Sequence, residues 1–226
     1  MNRTTILIVG AGLTTSVLSA PTDGGGDQII DGIGETSLTA RYLFAGNTDD
    51  SSRNRHHGIL VAGNHEAKAG FVEDATFGRV LALAGGRDGN HVKLPGATLA
   101  GIDAISVTGW IQFRSMAPDQ RIFDFGRSGT QNFWCAPAEG KQPNAGFRAR
   151  ITRHGGQHGQ ATVDAEPLPV GRWIHIAVVL DPAHKTLGLY RDGKAIHSLN
   201  LPRHGYKRWG EADFVVAARC RSMAKV

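Results

Sequence analysis

The chain has 226 residues, of which 41% are hydrophobic and 20% charged, so it is long enough for one ordinary domain and apolar enough to build a core. This composition excludes an intrinsically disordered chain. The 30 glycines favour many turns between short strands. The formal net charge is +5, but the basic residues are scattered and form no nucleic-acid-binding arm, so we expect no nucleic-acid partner.

The N-terminal residues have the layout of a secretory signal peptide. Arg3 precedes an uncharged, mostly apolar stretch at residues 4–18, which is shorter than a membrane span requires. We therefore expect residues 1–20 to be a signal peptide and residues 21–35 a flexible, glycine-rich linker. Residues 36–226 are then the folded domain of a secreted or cell-surface protein, with no membrane span once the signal peptide is removed.

The same segment also resembles the opening of a dinucleotide-binding fold, with Gly10 and Gly12 after an apolar run. Thr15 stands where that fingerprint has its third glycine. The motif counts only within a strand–helix–strand unit, and here a Pro-Thr-Asp-Gly-Gly-Gly stretch follows instead of a crossover helix. We therefore favour the signal peptide over the cofactor loop.

From residue 36 onward the sequence contains short β-like runs separated by turn residues, without convincing helical periodicity. Apolar and polar residues alternate near the start of this region. The predicted runs cover residues 38–44, 56–61, 79–83, 91–94, 104–114, 121–125, 132–135, 146–153 and 160–166. A series of this kind predicts an all-β fold in which two antiparallel sheets form a sandwich or jelly roll.

The C-terminal third contains the clearest strand signals. Residues 173–180 are almost continuously apolar, which predicts a strand covered on both faces. Runs at 186–191 and 194–201 flank Asp192 and Gly193. This pair is typical of a type I′ hairpin turn, because that turn needs positive φ at both central positions.

Several motifs, in this order along the chain, carry a family resemblance. They are Ala-Arg-Tyr-Leu-Phe-Ala-Gly-Asn-Thr-Asp-Asp-Ser-Ser from residue 40, Gly-Arg-Val-Leu-Ala-Leu from 78, Ile-Ser-Val-Thr-Gly-Trp-Ile from 105, Arg-Ile-Phe-Asp-Phe-Gly from 121, Gly-Arg-Trp-Ile-His-Ile-Ala-Val from 171 and Leu-Tyr-Arg-Asp-Gly-Lys from 189. Together they resemble the laminin-G/concanavalin A-like jelly-roll domains that are appended to bacterial extracellular proteins and glycosidases. The resemblance extends from residue 38 to about residue 221 and implies a lectin/glucanase-type jelly roll.

Two departures from the family pattern change what the resemblance implies. Such domains close with a strand that pairs beside the first one, but this chain stops soon after residues 213–219, which resemble the penultimate strand. We therefore expect the domain to lack its last strand and to keep an unpaired edge. The loop after Asp50 carries Arg53 and Arg55 where the family has glycines, so its geometry and its usual calcium role are in question.

The same loop supplies the candidate metal site. Calcium takes about six to eight oxygen ligands, and Asn47, Asp49, Asp50 and Asn54 cluster such donors. The competing interpretation is a polar turn held by side-chain hydrogen bonds to the backbone. The histidines are spread over different loops without the spacing of zinc ligands, so Ca²⁺ is the candidate cofactor.

Sugar binding requires aromatic rings surrounded by groups that form hydrogen bonds. The residue types and their neighbours in the sequence indicate five candidate ligand-binding residues: Trp134, Asn132, Arg148, Tyr206 and Trp209. For Trp134, half-buried packing is the alternative role.

Other conspicuous side chains are expected to be structural. The resemblance places Trp110 and Trp173 in core motifs, and His175 is predicted to be a hydrogen-bonded core histidine. Cys135 and Cys220 form neither a CxxC pair nor a metal cluster. One disulfide and two free thiols are both open for them.

The sequence carries no catalytic signature. Retaining glucanases of this fold have a Glu-x-Asp-x-Glu trio, because their chemistry needs two carboxylates about 5 Å apart, and this trio is absent here. Asp164 and Glu166 lie two residues apart on a predicted strand, but they lead directly into a Pro-Leu-Pro stretch, where a solvated strand end explains them. We therefore expect no enzymatic activity.

The leading hypothesis is a non-catalytic recognition module of a secreted or surface protein, with a glycan or an extracellular matrix protein as its partner. The alternative is a structural or adhesion module that contacts other proteins, or other domains of a larger parent protein, without a sugar site. A domain associated with a glycoside hydrolase, or itself hydrolytic, is third. The step from fold to ligand is an analogy at the level of the fold.

Overall fold

The computed structural model describes residues 4–9, 37–62, 70–83, 90–102, 104–115, 120–128, 131–138, 146–152, 160–201 and 214–217. The described residues form β-strands, turns and a short 3-10 helix at Gly96–Leu99. The strands are β1 (Thr4–Val9), β2 (Leu38–Tyr42), β3 (Ile59–Val61), β4 (Gly70–Asp74), β5 (Gly78–Ala82), β6 (His91–Leu94), β7 (Ala104–Gln112), β8 (Phe123–Ser128), β9 (Gln131–Ala136), β10 (Phe147–Thr152), β11 (Gln160–Ala165), β12 (Trp173–Asp181), β13 (Thr186–Arg191), β14 (Lys194–Asn200) and β15 (Phe214–Ala217). Within these ranges no helix is long and apolar enough to cross a membrane.

Two sheets contain most of the strands. A six-stranded sheet has the order β14-β13-β12-β7-β1-β2, and a seven-stranded sheet has the order β11-β10-β9-β8-β15-β6-β3. Strands β4 and β5 form a separate hairpin. Among the described pairings, only those of β1 are parallel. The predicted all-β jelly-roll sandwich is confirmed.

The hydrophobic core lies between the two sheets. On β12 every second side chain faces it, and Ile174, Ile176 and Val178 are at most 2% exposed. From the seven-stranded sheet, the rings of Phe123 and Phe125 stack with centroids 4.7 Å apart. Each fully buried apolar side chain contributes about 1.5–3 kcal/mol, so this shared core holds the sandwich together.

The predicted hairpin between β13 and β14 is confirmed. Asp192 has a φ of 49° and Gly193 a φ of 78°, as a type I′ turn requires. The prediction that β12 is covered on both faces is wrong. Buried and half-buried residues alternate along this strand, and the half-buried ones lie on its outer face. Trp173 is one of them, and its Nε1 donates to both carboxylate oxygens of Asp74 at 3.1 Å.

Sequence analysis missed two strands, β1 and β4. Strand β4 and its partner β5 are joined by a turn that carries Phe77, whose ring packs edge-on against Trp173 with centroids 4.9 Å apart. Strand β1 lies between β2 and β7.

The prediction that the first strand of the domain would keep an unpaired edge is therefore wrong. That strand is β2, and β1 pairs with it from Ile6, opposite Leu38, to Val9, opposite Tyr42. The segment expected to be the penultimate strand of the family is confirmed as strand β15, which pairs with β6 and β8. The domain boundaries themselves stay predictions.

Cys135 is completely buried in the core, and burial raises the pKa of its thiol well above the usual range. Cys220, the other cysteine of the chain, lies outside the described residues, so the choice between a disulfide and two free thiols stays open. A buried, protonated thiol is a poor nucleophile, so Cys135 has a packing role in this core.

We expect Gly146→Ala to lower the free energy of unfolding by about 1–3 kcal/mol, because overpacking against a rigid neighbour forces the backbone to shift. A Cβ at Gly146 would lie 2.2 Å from the carbonyl oxygen of Ala165 on β11. Gly70→Ala is the matched control, since a Cβ there meets nothing within 4 Å. Equilibrium unfolding in urea measures both, and equal stability of the two variants would contradict the close approach of residue 146 to β11.

Candidate functional site

Three of the five predicted ligand-binding residues lie together on the outer face of the seven-stranded sheet. Asn132 and Trp134 are two residues apart on β9, and Arg148 lies on the neighbouring β10. The residues between them, such as Phe133, are in the core, so the period of two places all three on the outside. The two remaining candidates, Tyr206 and Trp209, lie outside the described residues.

Two guanidinium groups cover the indole of Trp134. The Cζ of Arg121 lies 3.9 Å from the ring centroid, and the Cζ of Arg150, which is paired across the strands, lies 5.0 Å from it. Trp134 is only 3% exposed. The ring therefore offers no open face for a sugar in this arrangement, and the geometry fits the alternative packing role. We call the set Arg121, Asn132, Trp134, Arg148 and Arg150 the Trp134 face.

The arginines of β10 are held in place from β11. Arg148 forms an ion pair with Asp164 through two contacts, and its Nη2 lies 3.2 Å from the carboxylate Oδ2. Arg150 donates from Nε to the Thr162 hydroxyl at 3.0 Å. Cation–π contacts that are shielded from water contribute about 2 kcal/mol, so the Trp134 ring and these β11 side chains together restrict the orientation of the guanidiniums.

Asn132 is a buried polar side chain on this face. It is 5% exposed, and its amide oxygen accepts no hydrogen bond from the described part of the chain. A buried side-chain acceptor without a partner loses about 1–3 kcal/mol relative to one that is hydrogen-bonded. The oxygen is a buried acceptor for which the described residues supply no donor.

The face carries more positive than negative groups. Lys93 on β6 lies on the same side as the three arginines, because its neighbours Val92 and Leu94 are buried in the core. Asp124 on β8, which is paired with Trp134, and Asp164 are the acidic groups among the described strand residues that surround the arginines. Among the described residues, the net charge of this face is therefore positive.

The candidate calcium loop is organised by one buried carboxylate. Asp50 is 3% exposed and accepts four hydrogen bonds of 2.8–2.9 Å: Oδ1 takes the backbone N–H groups of Arg41 and Ser52, and Oδ2 takes the Ser52 hydroxyl and the backbone N–H of His56. These donors use both carboxylate oxygens. The interpretation as a hydrogen-bonded polar turn fits this geometry.

The other three predicted calcium ligands do not add the missing oxygens. Asn54 turns its amide nitrogen toward β2 and donates at 2.9 Å to two backbone carbonyls, those of Leu38 and Thr39. Asn47 and Asp49 bond to each other, with 2.8 Å between the amide nitrogen and the carboxylate. No group of three or more His, Cys, Asp or Glu in the described ranges is placed to hold a metal ion. These residues do not fit calcium, which needs about six to eight oxygens.

One of the two arginines that replace family glycines in this loop has an unusual backbone conformation. Arg55 has a φ of 51°, in the left-handed region that glycine adopts at little cost and other residues at roughly 1–2 kcal/mol. The adjacent hydrogen bond from His56 to Asp50 holds the loop in this conformation. Arg55 therefore holds, at some cost in strain, a conformation that favours glycine.

A second aromatic surface, on the outer face of the six-stranded sheet, was not anticipated. Trp110 is 38% exposed, although the resemblance placed it in a core motif, and its ring centroid lies 5.4 Å from Phe77 and 5.2 Å from His175. The alternation along β7 was the available signal, because Ile105 and Val107 face the core and Trp110 lies on the opposite side.

His175 is half-buried on this outer face rather than in the core. Its Nε2 lies 2.8 Å from the Thr108 hydroxyl, and its backbone N–H donates to Asp192 at 3.0 Å. Burial lowers the pKa of His175, and the nearby Asp192 carboxylate opposes that shift. The expected hydrogen bond is confirmed, but the expected core position is not.

The fold and site define a lectin-like jelly-roll sandwich. The chain belongs to the concanavalin A-like lectin/glucanases superfamily, since the family model of laminin G type with that description matches residues 85–219. No curated protein sequence matches the chain.

Solved structures share the fold at low sequence identity. Domain 4 of AbnA, a GH43 extracellular arabinanase from Geobacillus stearothermophilus solved in complex with arabinotriose, is 16% identical with a TM-score of 0.56, over 78% of this chain and 80% of that chain. A structure of botulinum neurotoxin type C, whose cell entry depends on two ganglioside molecules, is 11% identical with a TM-score of 0.53, over 80% of this chain and 44% of that chain.

We expect Asp50→Ala to lower the free energy of unfolding by about 2–4 kcal/mol, since four donors would lose a charged acceptor. Asp49→Ala is the control, with a side chain 59% exposed and an expected change below about 0.5 kcal/mol. Denaturant unfolding with calcium and again with EDTA measures both effects. A calcium-dependent rise in stability that Asp50→Ala abolishes would overturn our assignment of the loop.

The lowered pKa of His175 predicts a specific pH dependence. The unfolded state, with a histidine pKa of 6.5, binds the proton more readily, so the stability contributed by neutral His175 is complete above that pH and is lost as the pH falls through the lower folded value. His175→Gln should flatten this part of the stability curve between about pH 7.5 and pH 5. Urea midpoints at a series of pH values test it, and curves of identical slope would contradict the assignment.

Proposed function

We propose that this chain is a non-catalytic carbohydrate-recognition module of an extracellular protein, and that its glycan binds on the Trp134 face. The carrying observation is that three guanidiniums and the Asn132 side chain lie together on the outer face of the seven-stranded sheet. Side chains that present several hydrogen-bond donors on one face are the chemistry that a polar ligand such as a glycan requires.

The chemistry of the face matches that of a sugar. Sugar hydroxyls both donate and accept, and each guanidinium presents up to five N–H donors in a planar fork. The Cζ atoms of Arg121 and Arg150 lie over the Trp134 ring, within the range of a cation–π contact. In this proposal Trp134 is a positioning residue that orients two ligand-binding arginines, and it does not stack on the sugar itself.

The excess of positive groups supports an acidic glycan as the preferred ligand. Arginine pairs with carboxylate and sulfate groups through two parallel hydrogen bonds, which neutral sugars do not offer. We therefore expect uronate-containing, sialylated or sulfated glycans to bind more tightly than neutral ones. Because the interaction is partly ionic, this preference should weaken as the salt concentration rises.

The structural neighbours support the proposal at the level of the fold alone. The arabinanase domain holds arabinotriose, and the neurotoxin depends on gangliosides. Their identities of 16% and 11% carry no residue correspondence to this chain. A non-catalytic role is further supported by Asp164, whose carboxylate is held in an ion pair with Arg148 rather than facing a second carboxylate.

A second candidate function is an adhesion module that contacts protein. It is favoured by Ile59, which is 65% exposed on β3, the edge strand of the seven-stranded sheet. Edge strands with exposed apolar side chains pair readily with other chains. This function would need no part of the Trp134 face.

A glycan array that includes acidic and neutral oligosaccharides, followed by titration calorimetry of the hits with and without EDTA, tests the proposal. We expect Arg150→Ala and Asn132→Ala each to weaken binding by about 10-fold or more, equivalent to the loss of one good hydrogen bond to a charged or buried group. Trp110→Ala is the matched control on the opposite sheet, and its binding should be unchanged. Near-ultraviolet circular dichroism confirms that each variant is folded.

Three outcomes would contradict the proposal. Full binding by Arg150→Ala and Asn132→Ala would move the site elsewhere. Loss of binding in Trp110→Ala alone would place it on the six-stranded sheet. The absence of any glycan ligand for the folded wild-type chain would favour the adhesion function, which Ile59→Lys then tests in a self-association assay.

A further inference from the structure

Strand β1 is inserted between two strands that are not paired with each other. Its residues pair with β7 from Thr4, opposite Ala104, to Val9, opposite Gly109. On its other side the same strand pairs with β2. Both pairings are parallel, whereas the other described pairings are antiparallel. Strand β1 is thus the element that joins β2 to the rest of the six-stranded sheet.

Among the described strands, β2 has β1 as its only strand neighbour. Its opposite edge is held by the Asp50 loop: Asp50 accepts from the backbone N–H of Arg41, the backbone N–H of Ser51 donates to the Arg41 carbonyl, and Asn54 donates to the Leu38 carbonyl. These bonds tie β2 to a loop and not to a sheet.

Strand β2 nevertheless supplies part of the core. Leu38, Ala40 and Tyr42 are at most 8% exposed, and Tyr42 also donates from its hydroxyl to the His56 carbonyl. Neighbouring strands in a sheet lie about 4.8 Å apart, so β2 and β7 without β1 would be separated by about twice that distance. Backbone hydrogen bonds of about 2.9 Å cannot bridge such a gap. The sandwich therefore needs a strand in this position.

The strand that fills the gap comes from the segment predicted to be removed as a signal peptide. Its sequence is Thr-Thr-Ile-Leu-Ile-Val, uncharged and rich in β-branched residues, which favour extended conformations. The predicted cleavage after residue 20 would separate it from the domain. Since the pairing uses backbone groups and does not depend on a covalent connection, the same strand fits the gap as a separate peptide.

We propose that the gap between β2 and β7 is a strand-binding site whose occupant is the apolar segment Thr4–Val9, and that the processed domain holds this segment non-covalently. The inference is independent of the glycan function, since the Trp134 face belongs to the other sheet. The chemistry that the site recognises is an uncharged, β-branched, extended chain with free backbone N–H and C=O groups.

The first experiment uses the full chain with a specific protease site placed in the predicted linker at residues 21–35. After cleavage of the folded protein, the N-terminal fragment should stay with the domain in size-exclusion chromatography and separate from it only in denaturant. Leu7→Pro is the matched control, because proline removes one backbone donor that faces a neighbouring strand and keeps the segment apolar. The rate at which the Leu7→Pro fragment dissociates from the domain should be at least 10-fold higher than that of the wild-type fragment.

The second experiment starts from the same cleaved protein. A fluorescent synthetic peptide with the sequence of Thr4–Val9, flanked by lysines for solubility, should exchange into the domain with saturable anisotropy. Hydrogen exchange at residues 38–42 and 104–109 should slow when the peptide binds. The Leu7→Pro peptide should bind at least 10-fold more weakly than the wild-type peptide.

Immediate separation of the wild-type fragment from a domain that keeps its hydrogen-exchange protection at β2 would overturn the proposal. Equal retention of the wild-type and Leu7→Pro fragments would do the same, because it would show that the backbone of this strand is not what is recognised. Glycan binding by the cleaved domain can be measured in parallel, so failure of the strand site and failure of the glycan site are distinguishable.

Discussion

The structure depends on one constraint, which is that each sheet must bury one face against the other. The seven-stranded sheet contributes a phenylalanine-rich face that includes Phe123, Phe125 and Phe133, and the six-stranded sheet contributes mainly aliphatic residues. Every strand that adds to this core must also satisfy its backbone by pairing. Strand β2 meets the first requirement through Tyr42 and the second only through β1 and the Asp50 loop. The gap between β2 and β7 thus becomes a binding site because the core needs β2 in place.

The loop beside β2 is organised by a buried carboxylate. Four donors converge on Asp50, and the chain folds around a charge that it supplies itself. The loop tolerates Arg55 at positive φ because those bonds determine its path. A calcium ion would compete with the same donors for the same two oxygens.

The two outer faces of the sandwich differ in chemistry. On the six-stranded sheet, Trp110, Phe77 and His175 form an aromatic cluster that anchors the turn between β4 and β5. On the seven-stranded sheet, guanidiniums cover the indole of Trp134, and the amide oxygen of Asn132 is buried without a donor from the described residues. The exposed tryptophan lies on the first face. The guanidiniums and the larger number of positive groups among the described residues lie on the second, and for this reason we propose the glycan site there.

The sequence by itself determined the all-β class, most strands and the Asp192–Gly193 turn, because alternation and turn chemistry are local properties. It also suggested Asn132, Trp134 and Arg148 as candidate ligand-binding residues, and the cross-strand register brings these three to one face. Only the tertiary structure decided that Arg121 and Arg150 cover Trp134 and that Trp110 is exposed. Burial at those positions depends on which residues arrive from other strands. The sequence alone could not predict that Thr4–Val9 forms a strand of the sheet, because an apolar β-branched segment has the same composition in a signal peptide and in a strand. The parallel partners of this segment also lie far along the chain.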